Sequence, residues 1–192
     1  MEFKALVKSR RSCRAFEPDP VAEDQLAAII EAGQWAPSPM NALPWEYIII
    51  TGAEVKAQIR KVSEAAKQAV LDGGGPGFAA KYDMNFLEQA PVVIAVVFDP
   101  SKKGLGDFFN QKDGALQAAS ACVQNMMLAA ADYGLGTLWF TWFDPRKMKA
   151  ALSIPENLEI AAVIPIGKPK GEIKAPPRRD PHVHREQFSP AE

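Results

Sequence analysis

At 192 residues the chain has room for one domain with a sizeable core and not for two; a domain of this length removes roughly 70% of its unfolded surface from water. Hydrophobic residues make up 47% and charged residues 23%, which excludes a disordered tail, a coiled coil or a collagen-like repeat. The formal net charge of −1 excludes the whole-molecule basic field that drives non-specific nucleic-acid binding, so any anion has to be captured locally. Cys13 and Cys122 lie far apart and match no zinc or CxxC spacing, so reduced thiols are expected, with neither a disulfide framework nor a metal knuckle. Met1-Glu2-Phe3-Lys4 opens without an apolar run. A secretory leader or membrane span is therefore not expected, and the cytoplasm is the expected compartment.

In chain order, Phe3 to Lys8 reads as a short helix. A second helix follows Val21, with Leu26, Ile29, Ile30 and Ala32 at helical spacing. Gly33 and Pro37 then punctuate the chain. The run WEYIIIT from Trp45 to Thr51 is β-branched and aromatic and too short for a comfortable helix, which predicts a buried strand. A helix is expected from Val55 to Val70. After it comes DGGGPG, residues 72–77, whose glycines and Pro76 mark a lid or insertion flexible by composition. The apolar run PVVIAVVF from Pro91 predicts a second buried strand, and GTLWFTWF from Gly136 and EIAAVIPIG from Glu159 predict two more.

Between these strands, about Gln111 to Tyr133 reads as a helix apolar nearly all round, with Ala115, Leu116, Ala119, Cys122, Val123, Met126, Met127 and Ala130. Such a helix needs cover on several sides, which predicts that a partner subunit supplies part of it. Gly134 is placed to end it. Lys168 to Pro177 is rich in proline and lysine and too polar for a core, so it is expected to be an extended arm that leaves its own subunit. No internal repeat or domain boundary is evident: residues 1–192 form one domain, with about 168–192 as the arm.

The densest chemical signal is Ser9-Arg10-Arg11-Ser12-Cys13-Arg14, with no acidic residue between Phe3 and Phe16. Guanidiniums bind phosphate through planar, charge-assisted hydrogen bonds, so the cluster reads as a phosphomonoester cradle; a solvated basic face or a nucleic-acid contact is the alternative. The loop Ala36-Pro37-Ser38-Pro39-Met40-Asn41-Ala42-Leu43-Pro44 is stiffened by proline and leads directly into a strand. Asn41 offers a donor and an acceptor suited to the edge of a planar heterocycle, with an ordinary turn as the alternative. Gly134-Leu135-Gly136 is an incomplete glycine pattern that follows a helix, which argues against a Rossmann dinucleotide site. His182 and His184 have no clustered Cys or acidic partners, so no metal is expected.

Taken in order, RRSCRAF, APSPMNALPW, GLGTLWFTWFD, IPENLEIAAVIPIGKP and a terminal PPRR resemble the nitroreductase family over almost the whole chain. The resemblance implies an α+β fold with a mostly antiparallel central sheet flanked by helices, two interlocked subunits in a homodimer, and FMN held at their interface. By motif, Arg10, Arg11, Ser12 and Arg14 would bind the FMN phosphate, ribityl chain and ring edge, with Arg178 or Arg179 completing the phosphate site. Pro37, Ser38, Pro39 and Asn41 would reach the same flavin from the other subunit, and the backbone of Trp139, Phe140, Thr141 and Trp142 would pass the flavin N5. Two departures stand out. Leu43 occupies a position where the family commonly has Gln, and Thr141 and Trp142 stand where small residues are common, which points to a narrow acceptor pocket.

The implied activity is FMN-dependent transfer of hydride from NAD(P)H, by way of flavin N5, to a nitroaromatic, quinone or similar acceptor. No side chain is assigned as general acid or base, because the cofactor carries the chemistry. The alternatives are a flavin-binding protein of the same scaffold that stores, senses or consumes FMN without turnover, and, more remotely, a nucleic-acid module built on the arginine cluster.

Overall fold

A computed structural model describes residues 1–173 and 177–189 of the chain. Ten regular elements follow in order: α1 (Phe3–Ser9), α2 (Glu23–Gln34), β1 (Trp45–Ile50), α3 (Ala53–Asp72), α4 (Phe86–Gln89), β2 (Val92–Phe98), α5 (Gly114–Asp132), β3 (Gly136–Thr137), α6 (Pro145–Ala151) and β4 (Glu159–Gly167). The strands form one sheet in the order β1-β2-β4-β3, antiparallel at every pairing. This is the α+β arrangement of an antiparallel sheet flanked by helices.

β2 is buried along its whole length and β4 from Ala161 onward, because they occupy the two central positions with helices on both faces. That explains why their sequences are continuous apolar runs with no alternation. Val92, Ile94, Val96, Ala162, Ile164 and Ile166 point to the side covered by α2 and α5, while Val93, Ala95 and Val163 point to the side covered by α3, α4 and α6. β1 departs from the expected buried strand: it is an edge strand, with Glu46 and Ile49 exposed and Trp45 and Ile50 buried. A β-branched run does not by itself report whether both faces are covered.

α5 begins three residues later than its apolar pattern predicts. Asn110 is left-handed, with φ of 55°, and a 3-10 turn over Gly106–Phe109 precedes it. The helix ends as its sequence predicts. Gly134 takes a φ of 73°, its N–H donates to the Ala131 carbonyl, and the Leu135 N–H donates to the Ala130 carbonyl, the double closure of a Schellman cap. Ala115, Ala118, Ala119, Cys122, Val123, Met126, Met127 and Ala130 are buried by this chain alone, because α2 covers the side that the sheet leaves open. Leu116, expected among them, is 39% exposed, so this chain leaves part of the helix uncovered.

The run GTLWFTWF is also corrected. Only Gly136–Thr137 is ladder-paired, and Phe140 then makes an isolated bridge with Val163. Asp144 ends the run by capping α6, its carboxylate accepting from the Arg146 and Lys147 N–H groups, with Pro145 at the first helical position. The arm, too, begins differently from expectation. The Lys168 carbonyl accepts from the Glu17 N–H, the Lys170 N–H donates to the Ala15 carbonyl, and Phe16 bridges Pro169. Residues 168–170 therefore stay with their own subunit, and Ile173 packs against the core. From Pro177 to Ser189 the chain is exposed throughout. Lys174, Ala175 and Pro176 of the arm lie outside the described residues.

Candidate functional site

α1 delivers the arginine cluster. Arg10 caps the C-terminus of that helix with an extended ψ of 124°, which turns the chain out of the helix and onto the edge of β3. There Ser12 forms a parallel bridge with Thr137, and the Cys13 N–H donates to the Thr137 carbonyl at 2.9 Å. The cysteine side chain is buried against Gly136, whose missing Cβ makes room for it. Cys13 is thus the anchor that holds Arg10, Arg11 and Ser12 against the sheet.

A cavity of about 260 Å³ opens beside this segment, lined by Ser9, Arg10, Arg11, Gly136, Thr137 and Ile173 among others. Arg10 is half-buried, and its pKa is lowered first by desolvation, then by the positive charges of Arg178 and Arg11. The positive charge of Arg178, from the other end of the polypeptide, is thus felt at Arg10. None of Arg10, Arg11 and Arg178 forms an ion pair among the described residues. The hydroxyl of Thr137 is fully buried and has no hydrogen-bond partner there. Cations gathered at a loss with a spare buried donor beside them are the arrangement a bound anion would relieve. Arg178 and Arg179 are both exposed, and Arg178 is the member of the pair whose charge reaches Arg10.

Arg14 faces elsewhere. It is exposed, its Nε donates to the Tyr82 hydroxyl at 3.0 Å, and its guanidinium lies 5.6 Å from the Tyr82 ring centre. Tyr82 in turn packs against Trp142, with ring centres 5.2 Å apart, and Trp142 meets Phe78 at 6.4 Å. The residues after DGGGPG thus fold as a 3-10 turn over Gly77–Lys81 and lie against the 139–142 run. Within that run Phe140 is buried, Trp139 and Trp142 are half-buried, and Thr141 is exposed.

The proline-rich loop is held by a 3-10 turn over Pro39–Asn41, in which the Asn41 and Ala42 N–H groups donate to the Ser38 and Pro39 carbonyls. Met40, Asn41 and Leu43 all have positive φ, at 51°, 55° and 40°, and the Ser38 hydroxyl accepts from the Leu43 N–H at 3.0 Å. Three left-handed non-glycine residues in one short loop mark stored strain of the kind found at ligand clamps. Asn41 is exposed. Pro37, Ser38 and Pro39 lie by Gln117, Ala118 and Ala121, on the N-terminal half of α5, whereas the arginine cavity lies at Ala131 and Gly134. At 1.5 Å per residue, Gln117 and Ala131 are roughly 20 Å apart along the helix. The structure therefore brings Arg10, Arg11 and Ser12 together, with the charge of Arg178 reaching Arg10, links Arg14 to Trp142 through Tyr82, and keeps Pro37 to Pro39 apart from the arginine cavity.

Thr137 and Tyr82 are absent from the sequence-derived site. Thr137 carried a signal only in being a hydroxyl in a buried strand that starts directly after a glycine; Tyr82 carried none.

The profile of the nitroreductase family matches residues 7–168. The chain belongs to the nitroreductase family. Its members include a protein of Archaeoglobus fulgidus provisionally named as an NADH dehydrogenase/NAD(P)H nitroreductase, 30% identical and aligned over 97% of this chain and 99% of that protein. Another relative, 5,6-dimethylbenzimidazole synthase of Rhodospirillum rubrum, is 29% identical over 90% of this chain and 84% of its own length. Among solved structures, oxidized iodotyrosine deiodinase bound to FMN and 3-iodo-L-tyrosine superposes with a TM-score of 0.85 at 23% identity, covering 96% of this chain and 99% of that one. This nitroreductase fold therefore carries relatives named for quite different reactions. No helix among the described residues is long and apolar enough to cross a membrane.

Proposed function

We propose that this nitroreductase-family protein is an FMN-dependent oxidoreductase that uses NAD(P)H to reduce a nitroaromatic, quinone or similar planar acceptor, and that it works as a homodimer. The observation that carries the reading is that Arg10 and Arg11 line one cavity with Thr137, whose buried hydroxyl has no hydrogen-bond partner among the described residues, while the charge of Arg178 reaches Arg10. A phosphomonoester fits that set: it offers two negative charges and three acceptor oxygens to cations that otherwise repel one another. Arg10, Arg11 and Arg178 would bind the phosphate of FMN, with Ser12 and Thr137 as neutral donors. Arg14 would hold positive charge at the ring edge. The backbone of Trp139 to Trp142 would line the ring, and Pro37 to Asn41 would approach from the partner. When bound, FMN supplies the redox step, accepting hydride from a nicotinamide and delivering electrons to the acceptor. The chain's part is orientation, fixed dipoles and positive charge.

The separation of the 37–41 loop from the arginine cavity supports a shared site, because one subunit cannot present both to one small ligand. So does a rim of exposed apolar side chains on the loop's side of the molecule, where Met40, Phe108 and Phe109 are 79%, 81% and 71% exposed. The test is direct: purified protein should be yellow and should oxidise NAD(P)H with ping-pong kinetics. Arg10→Ala should weaken FMN binding by on the order of 1.5–3 kcal/mol, and Arg178→Ala should weaken it more than Arg179→Ala. Colourless protein that ignores added FMN would remove the proposal.

The wall formed by Phe78, Tyr82 and Trp142 favours one second reading. In it the same scaffold binds FMN for storage, sensing or consumption, because a crowded ring face suits few acceptors. Sustained NAD(P)H turnover against a panel of quinones and nitroaromatics separates the two.

A further inference from the structure

We infer that Tyr82 is a positioning residue for Arg14: its hydroxyl and ring fix that guanidinium for the flavin, and its packing on Trp142 ties this hold to the wall of the acceptor pocket. The inference rests on the FMN reading above and adds to it a residue outside every motif of the sequence.

Arg14 is exposed and, among the described residues, makes no ion pair. An arginine in that situation samples many rotamers, and ordering it at the moment of binding costs free energy that a preset conformation does not. Two contacts preset it here. The Tyr82 hydroxyl accepts from Nε at 3.0 Å, and the ring lies beneath the guanidinium at 5.6 Å. The choice of Nε matters, because a guanidinium has five N–H donors in a planar fork. With Nε engaged by Tyr82, both terminal nitrogens stay free to meet a ligand.

Tyr82 is itself held from several directions. Its carbonyl accepts from Lys67 Nζ at 3.2 Å, tying it to α3. Its ring meets Phe86 edge-on, with centres 6.2 Å apart and planes at 89°, and Phe86 packs on buried Phe140 at 5.5 Å. On its other side lies Trp142, 5.2 Å away. The phenol is thus a fixed post between an exposed cation and the aromatic wall, and among the described residues its hydroxyl makes no other hydrogen bond. A ring packed only for stability would have no need of a hydroxyl at this point.

The experiment is a double-mutant cycle on full-length protein, with Tyr82→Phe made in the wild-type and Arg14→Ala backgrounds and FMN titrated by quenching of its fluorescence. Tyr82→Phe keeps the ring and removes only the oxygen. The expected result is a rise in the FMN Kd of about tenfold in the wild-type background and no further change when Arg14 is already alanine. The reduction potential of the bound flavin should also move negative, as loosening a cation at the ring edge requires, while the melting temperature without FMN stays unchanged. Equal effects in both backgrounds, or wild-type affinity and potential in Tyr82→Phe, overturn the role of Tyr82 and leave the FMN reading standing. If wild-type protein takes up no FMN, the FMN reading falls and this inference falls with it.

Discussion

Cys122 shows how much of this molecule's chemistry is set by burial at single residues. Its Sγ lies 3.2 Å from the Tyr47 hydroxyl, between the sheet and α5, and desolvation pushes the thiol up to about 11 while raising Tyr47 as well. The sign of the linkage follows. Where the folded thiol holds its proton beyond the pH at which the unfolded thiol releases it, stability is fully present below about pH 9 and is drawn down as pH rises toward 11. The urea midpoint should therefore decline steadily across that window, with Tyr47 extending the decline upward. At neutral pH both cysteines should resist a thiol reagent in the folded state, since Cys13 is also buried and its pKa raised by desolvation. A midpoint that stays level from pH 9 to pH 11 would show that the pair is hydrated after all. Sequence spacing placed both cysteines as reduced thiols, but not their partners: the contact with Tyr47 spans β1 and α5, and a single sequence carries no record of which distant residues meet.

At the scale of elements, the packing of α2 on α5 decides whether the sheet is covered on that side. Gly33 permits the close approach. A Cβ there would come within 2.8 Å of the Tyr47 hydroxyl, 2.9 Å of Met126 Cγ and 3.0 Å of Cys122 Sγ. Gly33→Ala would gain about 1 kcal/mol of helix propensity, yet it must displace buried Cys122 and Met126 and half-buried Tyr47, and overpacking of that kind costs about 1–3 kcal/mol. The overpacking should win, giving a net loss of about 1 kcal/mol in chemical denaturation; a more stable variant would mean that the seam is looser than it looks. The sequence marks Gly33 only as punctuation, whereas the glycine lies inside α2 and serves a contact with another helix. The legible elements were long enough to be read alone, α2, α3 and α5 as helices and β2 and β4 as uninterrupted apolar runs. Those misread, β1 as fully buried and 136–143 as a strand, are apolar runs whose state depends on what lies over them. The Asp144-Pro145 start of α6 is a readable N-cap that the strand reading of the preceding aromatics obscured.

For the molecule as a whole, the candidate site splits into parts that one subunit holds at opposite ends of α5. The arginine cluster stood out because runs of like charge are visible in a sequence, whereas Arg178 and Arg179 were joined to it by resemblance alone. The loop of Pro37 to Asn41 was legible by resemblance alone, and its left-handed residues are the physical reason to take that seriously. A shared site makes a quantitative prediction about mixtures. Arg10→Ala subunits have a broken cradle and an intact loop; Asn41→Ala subunits have the reverse. In a mixed dimer one site inherits both defects and the other inherits none. Equal amounts unfolded and refolded together should therefore recover about a quarter of the wild-type tight FMN sites, although neither variant alone has any, as measured by flavin retained per subunit after gel filtration. Recovery requires Asn41 to approach its flavin from across the seam. If the mixture binds only the average of the two variants, cradle and loop serve the same subunit, and the roughly 20 Å between them along α5 would have to be closed by a rearrangement within one chain.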